Sequence, residues 1–469
     1  MQQKTELSQK KIANRLAVPL ALPLFLVRKK RRSQWLIAAV GLAVAIAGVA
    51  SRPVRFLSFD AAHEILAAFS RTEDAAAWDA WVKTEDRDVR ARIERGVEDS
   101  ISNLILYGTS FTTLPRVESA ENAATPSGEL MPPARARVKA AAAALSHPGT
   151  NERLLFAQDF LLKHGVTPED METVLASNLS RFSLEQRGYQ EKLNSAHNAE
   201  DPAQARFVGA TLFDRRGLSV DTSLLPNYAL EETLGAMLRK GALAPNSIRS
   251  IAVIGPGLDF TDKHDGYDFY PLQTIQPLAV IEAVVRLGLG KAGSLRMTTF
   301  DLNPAVNAHL EAMVRRARAG KQYVLQLPRR DSADWTPQAI AYWQHFGERI
   351  GSPATPASAP GELHVRAIAV DPKIASLIEP VDLNVVAQVM DGGAFDLVIA
   401  TNILVYYERF EQALAMQNIA SMMNSGGVFL SNTVLPAQKP STLDYLGRRS
   451  MSYSVSGSYG DDIVAYRRK

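Results

Sequence analysis

Two glycines and one acid, each closing a short apolar run, are the residues of this sequence best placed to do chemistry. Gly255 and Gly257 end the run IRSIAVI as Gly-Pro-Gly, and Asp301 ends the next run, LRMTTF. At the carboxyl end of a strand, glycines let backbone approach a ligand and allow a tight turn. A carboxylate there accepts both hydroxyl protons of a ribose. The combination points to a nucleoside. A dinucleotide fits less well, because the GxGxxG pattern needs glycine where Phe260 stands, and that ring blocks close approach of helix and pyrophosphate. No GxxxxGK[ST] occurs, which excludes a P-loop. Cys 0 removes thiolate nucleophiles, zinc ribbons and iron–sulfur clusters, and the eight histidines form no HExxH or HxxxH pair, so no metal site is expected. The stretch from Leu258 to Gln273 carries Asp259, Asp262, His264, Asp265 and Asp268, which are candidate bases or a solvated acidic turn. Tyr267, Tyr270, Tyr406 and Tyr407 suit either a pocket wall or ordinary packing.

These residues need a scaffold, and the pattern after Pro245 supplies one. Short strand-length runs are expected at IRSIAVI, at LRMTTF before Asp301, at ELHVRAIAV before Asp371, at FDLVIAT up to Thr401 and at GVFLSN after Gly426-Gly427. Between them lie helical stretches such as PLAVIEAVVRLGL, PAVNAHLEAMVRRA and RFEQALAMQNIASMM. Strands alternating with helices predict a mostly parallel sheet covered on both faces. The terminal MSYSVSGSYGDDIVAYRR predicts an antiparallel pair closing one edge. QYVLQL with a helix around PQAIAYWQHFGERI, followed by the linker SPATPASAPGE, interrupts the alternation. From about Phe56 to Ala244 apolar residues recur at three- and four-residue spacing, which predicts helices, one of them capped at Thr167-Pro168-Glu169-Asp170.

The carboxyl-terminal half resembles the class I S-adenosylmethionine-dependent methyltransferases. The resemblance is carried by VIGPG at the first strand, TTFDLNP at the second, FDLVIATNILVYY at the fourth, NSGGVFLSN at the fifth, and the final hairpin. It implies a Rossmann-like α/β sheet, S-adenosyl-L-methionine as cofactor, and methyl transfer as the activity. The fourth-strand segment looks most like the CheR-type protein-glutamate methyltransferases. Asn402 matches that family's asparagine and Tyr406 its substrate-side tyrosine, while Thr401 stands where the family has a cofactor-contacting arginine. The resemblance implies cofactor binding by Gly255, Gly257, Asp301, Asn384, Thr401 and Asn402, with Tyr406 on the catalytic side. Asp371 competes with Asn384 for the base-contacting role. One departure is length: 46 residues separate Gly255 from Asp301, against about 20 in the usual ribose-binding arrangement.

The amino terminus adds a separate feature. Residues 33–51 carry no charge, and roughly 19 helical residues span about 28 Å, enough for a hydrocarbon core. Arg28, Lys29, Lys30, Arg31 and Arg32 immediately precede them. A single-pass membrane helix is therefore expected, with the basic block retained in the cytoplasm and the remainder facing outward; cleavage near Ser51 is an alternative. The cofactor is cytosolic, so charge and chemistry disagree about the side. The predicted organisation is a basic N-terminus with a transmembrane signal-anchor (1–52), a helical domain (53–245) and a methyltransferase-like domain (246–469). With 52 Lys+Arg against 49 Asp+Glu, a net charge of +3 gives no bulk signal for nucleic acid. Two functions stay open: a membrane-anchored methyltransferase of unknown acceptor, or an exported non-catalytic binding or scaffold protein on the same fold.

Overall fold

The computed structural model describes residues 52–469, except 198–215, 262–266 and the single positions 332, 362, 434 and 458. The expected membrane helix and the candidate bases Asp262, His264 and Asp265 lie outside the described residues. Among those described, no helix is long and apolar enough to cross a membrane.

Residues 53–469 form one compact unit. It opens with a short strand, β1 (Val54–Phe56), and the helices α1 (Phe59–Ala68), α2 (Ala75–Tyr107), α3 (Pro132–Ser146), α4 (Glu152–Lys163), α5 (Met171–His197) and α6 (Leu225–Arg239). Side chains seal the helix starts: Asp74 accepts from the Ala77 N–H at the start of α2, and Asn151 caps α4. Thr167 accepts from the Asp170 N–H just before α5, as its sequence predicts.

The α/β part follows with β2 (Ser250–Ile254), α7 (Gln276–Arg286), β3 (Arg296–Asp301) and α8 (Pro304–Arg318). Next come β4 (Tyr323–Arg330), α9 (Pro337–His345), β5 (Gly351–Ala354), β6 (Leu363–Val370) and the single turn α10 (Pro372–Ala375). The chain closes with β7 (Ile378–Asp382), β8 (Gln388–Met390), β9 (Phe395–Ala400), α11 (Arg409–Met422), β10 (Met423–Ser431), β11 (Leu443–Ser452) and β12 (Gly460–Arg468). The main sheet is seven-stranded, in the order β11-β12-β10-β9-β2-β3-β7. β7, β3, β2, β9 and β10 run parallel, and β12 enters antiparallel between β10 and β11. The predicted terminal hairpin is thus present, and its first strand begins earlier than expected, at Leu443.

One expectation needs correction. ELHVRAIAV is a strand, but it does not join the main sheet; β6 lies between β4 and β5 in a separate antiparallel three-stranded sheet. The third parallel strand is instead IEPVD, β7. Its proline and two acids mask it as a strand, and they are tolerated because β7 is an edge strand whose partner in the sheet is β3 alone. Residues 352–354, the start of the presumed linker, also belong to that small sheet, within β5. Upstream, β1 is a non-helical start to the helical region and pairs antiparallel with β8.

The sheet's alternation sends Ile251 and Val253 into one apolar cluster and Ala252 and Ile254 into the other. Helical-region residues complete both clusters. Leu104, Leu179 and Leu230 join the first, and Ile65, Trp78 and Val82 the second. The helices are therefore walls of the same core, and polar contacts extend the junction. Arg90 grips Asp382 with both Nη atoms, at 3.1 and 2.8 Å. At the same junction Glu85 of α2 shares a hydrogen bond with Glu411 of α11, and burial followed by the Glu411 charge holds the Glu85 carboxyl well above its usual range. Such a pair holds a proton that the unfolded chain gives up at ordinary carboxyl pH, so its stabilisation is complete in acid and declines as pH rises towards the mildly alkaline range. Glu85→Gln should raise the melting temperature by a few degrees at pH 8.5 and leave it unchanged near pH 4, measured by thermal unfolding across that range.

Candidate functional site

The carboxyl ends of the parallel strands open into a hollow of about 940 Å³, where a ligand of an open α/β sheet is expected. Gly255 leaves β2 at φ 67° and Gly257 follows at φ 63°, both in the left-handed region that glycine adopts without a Cβ penalty. The Gly255 N–H donates to the Phe300 carbonyl at 2.8 Å, which ties the turn to β3. Asp301, at the end of β3, lies beside the Gly257 backbone N–H, and its Oδ1 accepts the Asn303 N–H at 2.8 Å. Burial pushes the Asp301 carboxyl up to about 7, against the pull of these N–H donors. The turn and the acid therefore touch, and both face the hollow.

Of the other expected residues, Thr401, Asn402 and Tyr406 also border the hollow. Thr401 is buried and its Oγ1 accepts from Gln276 Nε2 at 2.6 Å. Asn402 takes φ 59° and forms a reciprocal pair with Asn432: its N–H donates to Asn432 Oδ1, and its Oδ1 accepts from Asn432 Nδ2, each at 2.7 Å. Tyr406 is half-buried, and its carbonyl accepts from Arg92 Nη2 at 2.5 Å. Asn384 is not brought to the site. It is fully buried, donating to Asp86 Oδ1 at 3.0 Å and accepting from the Val386 N–H, while its neighbours Leu383 and Val385 line the hollow. Asp371 caps α10 behind the small sheet and likewise does not line the hollow.

The long segment after Gly257 does not hang free. Leu258 exchanges backbone hydrogen bonds with Val220 and Thr222. The buried Arg153 of α4 donates to the carbonyls of Phe260, Tyr270 and Asp259, and Asp268 accepts from the N–H and hydroxyl of Thr109 and Ser110. Tyr270 donates to Asp259 at 2.8 Å and Tyr267 accepts from Arg330. Tyr407, by contrast, lines the hollow with Tyr406. What covers Gly257 comes from the helical region: a Cβ there would lie 2.7 Å from the Val220 carbonyl, and residues 218–223 roof the hollow beside Ile93.

Sequence reasoning missed several lining residues. Asn303 Nδ2, Thr261 Oγ1 and Gln412 Oε1 are buried polar atoms without a hydrogen-bond partner among the described residues, and all three side chains border the hollow. Unpartnered buried polar groups are rare in folded proteins, and a polar ligand in the hollow would satisfy them. The Asn-Pro helix start after Asp301 was a readable signal for Asn303; Gln412 gives none, because its role depends on how α11 packs. Asn432, Arg448 and Asp461, from β10 and the hairpin, were also missed.

The hollow is graded. At the β3 and β7 end it is lined by Phe300, Leu302, Leu383 and Val385; at the β10 and β12 end by Asn402, Asn432, Arg448 and Asp461. A nucleoside fits this gradient, with a flat base among the apolar residues, a diol on Asp301 and polar groups beyond. Among the described residues no cluster of histidines and acids could hold a metal ion.

No protein-family model and no curated protein matches the chain. Solved structures with some likeness include TrmN from Thermus thermophilus, at 12% identity and TM-score 0.24, covering 52% of this chain and 52% of that one. The chain thus spans about half of TrmN's length. The N-methyltransferase NodS from Bradyrhizobium japonicum matches at 12% identity and TM-score 0.24, over 60% of this chain and 97% of that one. The mitomycin 7-O-methyltransferase MmcR matches at 13% and 0.28, over 87% and 98%.

Gly255 is the tightest point of the turn: a Cβ there would lie 2.1 Å from Ile403 Cγ1. Gly255→Ala should cost about 2 kcal/mol, from the left-handed backbone and the overlap together, read as a lowered urea midpoint at unchanged slope. The Gly-Pro-Gly turn, the acid of the second strand, the fourth-strand segment and the antiparallel last hairpin all meet in one mixed seven-stranded α/β sheet.

Proposed function

We propose that the protein is an S-adenosylmethionine-dependent methyltransferase acting on a small acceptor. The observation that carries the reading is the contact between the Gly257 N–H and the Asp301 carboxylate at the mouth of a hollow that is apolar at one end and polar at the other. When bound, the cofactor supplies a methyl group already activated on a sulfonium. The chain's own residues then bind, orient and exclude water. Asp301 would receive the ribose hydroxyls, Leu302, Leu383 and Val385 would flank the adenine, and the unpartnered Nδ2 of Asn303 would be available to a ribose or purine acceptor. Residues 218–223, Ile93 and Tyr406 border the hollow. Its volume of about 940 Å³ has room for a small acceptor beside the cofactor. The CheR-type likeness of the fourth strand supports the general activity without naming the acceptor.

The membrane anchor is proposed from sequence alone. Residues 33–51 would hold the enzyme on the bilayer, and a cytosolic cofactor supports a cytoplasmic catalytic part despite the preceding basic block. A topology reporter fused after Lys469 decides the side.

The ribose diol donates to an ionised carboxylate, so binding expels the proton that burial keeps on Asp301. Proton and ligand compete: affinity should rise about tenfold from pH 6 to pH 8 and level off above it. Calorimetric titration of the whole chain with S-adenosylmethionine should show this rise, and Asp301→Ala should weaken binding at pH 8 by about 10- to 100-fold. No heat with the unaltered chain at any pH would sink the enzyme and favour a scaffold.

A further inference from the structure

The polar end of the hollow contains a carboxylate that cofactor binding does not use. Asp461, at the start of β12, borders the hollow with both oxygens held: Oδ2 accepts from the Tyr453 hydroxyl at 2.5 Å, and Oδ1 accepts from Asn432 Nδ2 at 3.0 Å. The same Asn432 amide binds Asn402 Oδ1, so Asp461 is one amide group away from the residue that follows β9. This network fixes its direction. We propose that Asp461 is the general base of the transfer reaction and that the acceptor is therefore a hydroxyl compound. The inference rests on the methyltransferase reading above.

The argument is positional. Adenine and sulfur leave a ribose from opposite ends, at C1′ and C5′. With the diol on Asp301 and the base among Leu302, Leu383 and Val385 beside β3 and β7, the sulfur would point across β2 towards β9, β10 and β12. Neighbouring strands are about 4.8 Å apart, so β3 and β12 stand roughly 19 Å apart across four spacings. That leaves room beyond the sulfur for an acceptor against Asn402, Asn432 and Asp461. The acceptor class follows from what a base is for. A carboxylate or a neutral amine attacks a methyl group without first losing a proton, whereas a hydroxyl must lose one. In the step, the S–CH3 bond breaks as the O–CH3 bond forms, the sulfonium becomes a neutral thioether, and the hydroxyl proton passes to Asp461.

The surroundings suit that role. Burial, followed in smaller measure by Asp462, raises the Asp461 carboxyl, against the lowering effect of Tyr453 and Asn432. A raised carboxyl is a stronger base. Arg448, the hairpin guanidinium that lines the hollow, pairs with Asp462.

The experiment needs no acceptor. Sinefungin carries an ammonium-bearing carbon where the cofactor has its methyl-bearing sulfonium; S-adenosylhomocysteine has neither the methyl nor the charge. Calorimetric affinities of the whole chain for the two should favour sinefungin by about tenfold, because its ammonium faces Asp461. In Asp461→Asn that preference should fall to near unity while S-adenosylhomocysteine binds as before. Equal affinities in the unaltered protein, or a preference that persists in the variant, overturn the proposal. The first comparison needs no variant, so a misfolded Asp461→Asn does not rescue it. If neither ligand binds the unaltered chain, the cofactor reading itself fails, a separate outcome. A methylated product that releases methanol in dilute base is an ester and overturns the hydroxyl assignment directly.

Discussion

The site depends on one juxtaposition, the Gly257 N–H beside the Asp301 carboxylate across the ends of two adjacent parallel strands. It requires that β2 and β3 pair in register, Ile254 opposite Phe300, so that the turn after one strand falls beside the acid ending the other. It also requires φ near +65° at both glycines, since a side chain at either would strike Ile403 or the Val220 carbonyl. The result is a carboxyl supplied with N–H donors yet buried enough to keep its proton near neutrality. Such a group is poised: donors on an incoming diol tip it to the ionised form, so ligand binding and proton release become one event.

The helical half is part of this construction. Arg90 clamps the acid that ends β7, Arg92 bonds the Tyr406 carbonyl, and Arg153 gathers three carbonyls of the segment after Gly257. Each of these arginines comes from a helix upstream of the sheet and lands on a loop at the strand ends. The Arg153 bonds are buried, and a loop held by buried charge-assisted hydrogen bonds keeps its geometry better than one left to solvent. Residues 218–223 then add a wall of the hollow from the helical half.

The sheet was legible because β2 (SIAVI), β9 (FDLVIA) and the second half of β10 (VFLS) are mostly apolar, as buried parallel strands are, and β3 (RMTTFD) is a short strand-length run ending in its acid. β7 was not, because an edge strand tolerates proline and acids, so local sequence carries little trace of it. ELHVRAIAV misled for the complementary reason: apolar alternation fixes a strand but not the sheet it joins. At the site, Gly255, Gly257 and Asp301 were readable because the chemistry acts through their own backbone or carboxyl at a strand end. Asn384 was misplaced since, one residue either way, the chain alternates between facing the hollow and facing α2. Asp461 and Asn432 reach the hollow only through the pairing of β10 with β12, a contact between residues far apart in sequence that no local pattern records.

The left-handed backbone of Asn402 ties these observations together. A non-glycine residue at φ 59° pays about 1 kcal/mol, and such strain persists only where neighbours over-determine it. Here the neighbour is Asn432, which holds Asn402 through both its backbone and its side chain and extends the grip to Asp461. If Asn402 were merely the last residue of a loop, relaxation to an ordinary conformation would cost the fold nothing. Its retention is explained by Asn432, whose two contacts fix Asn402 at the polar end of the hollow beside Asp461.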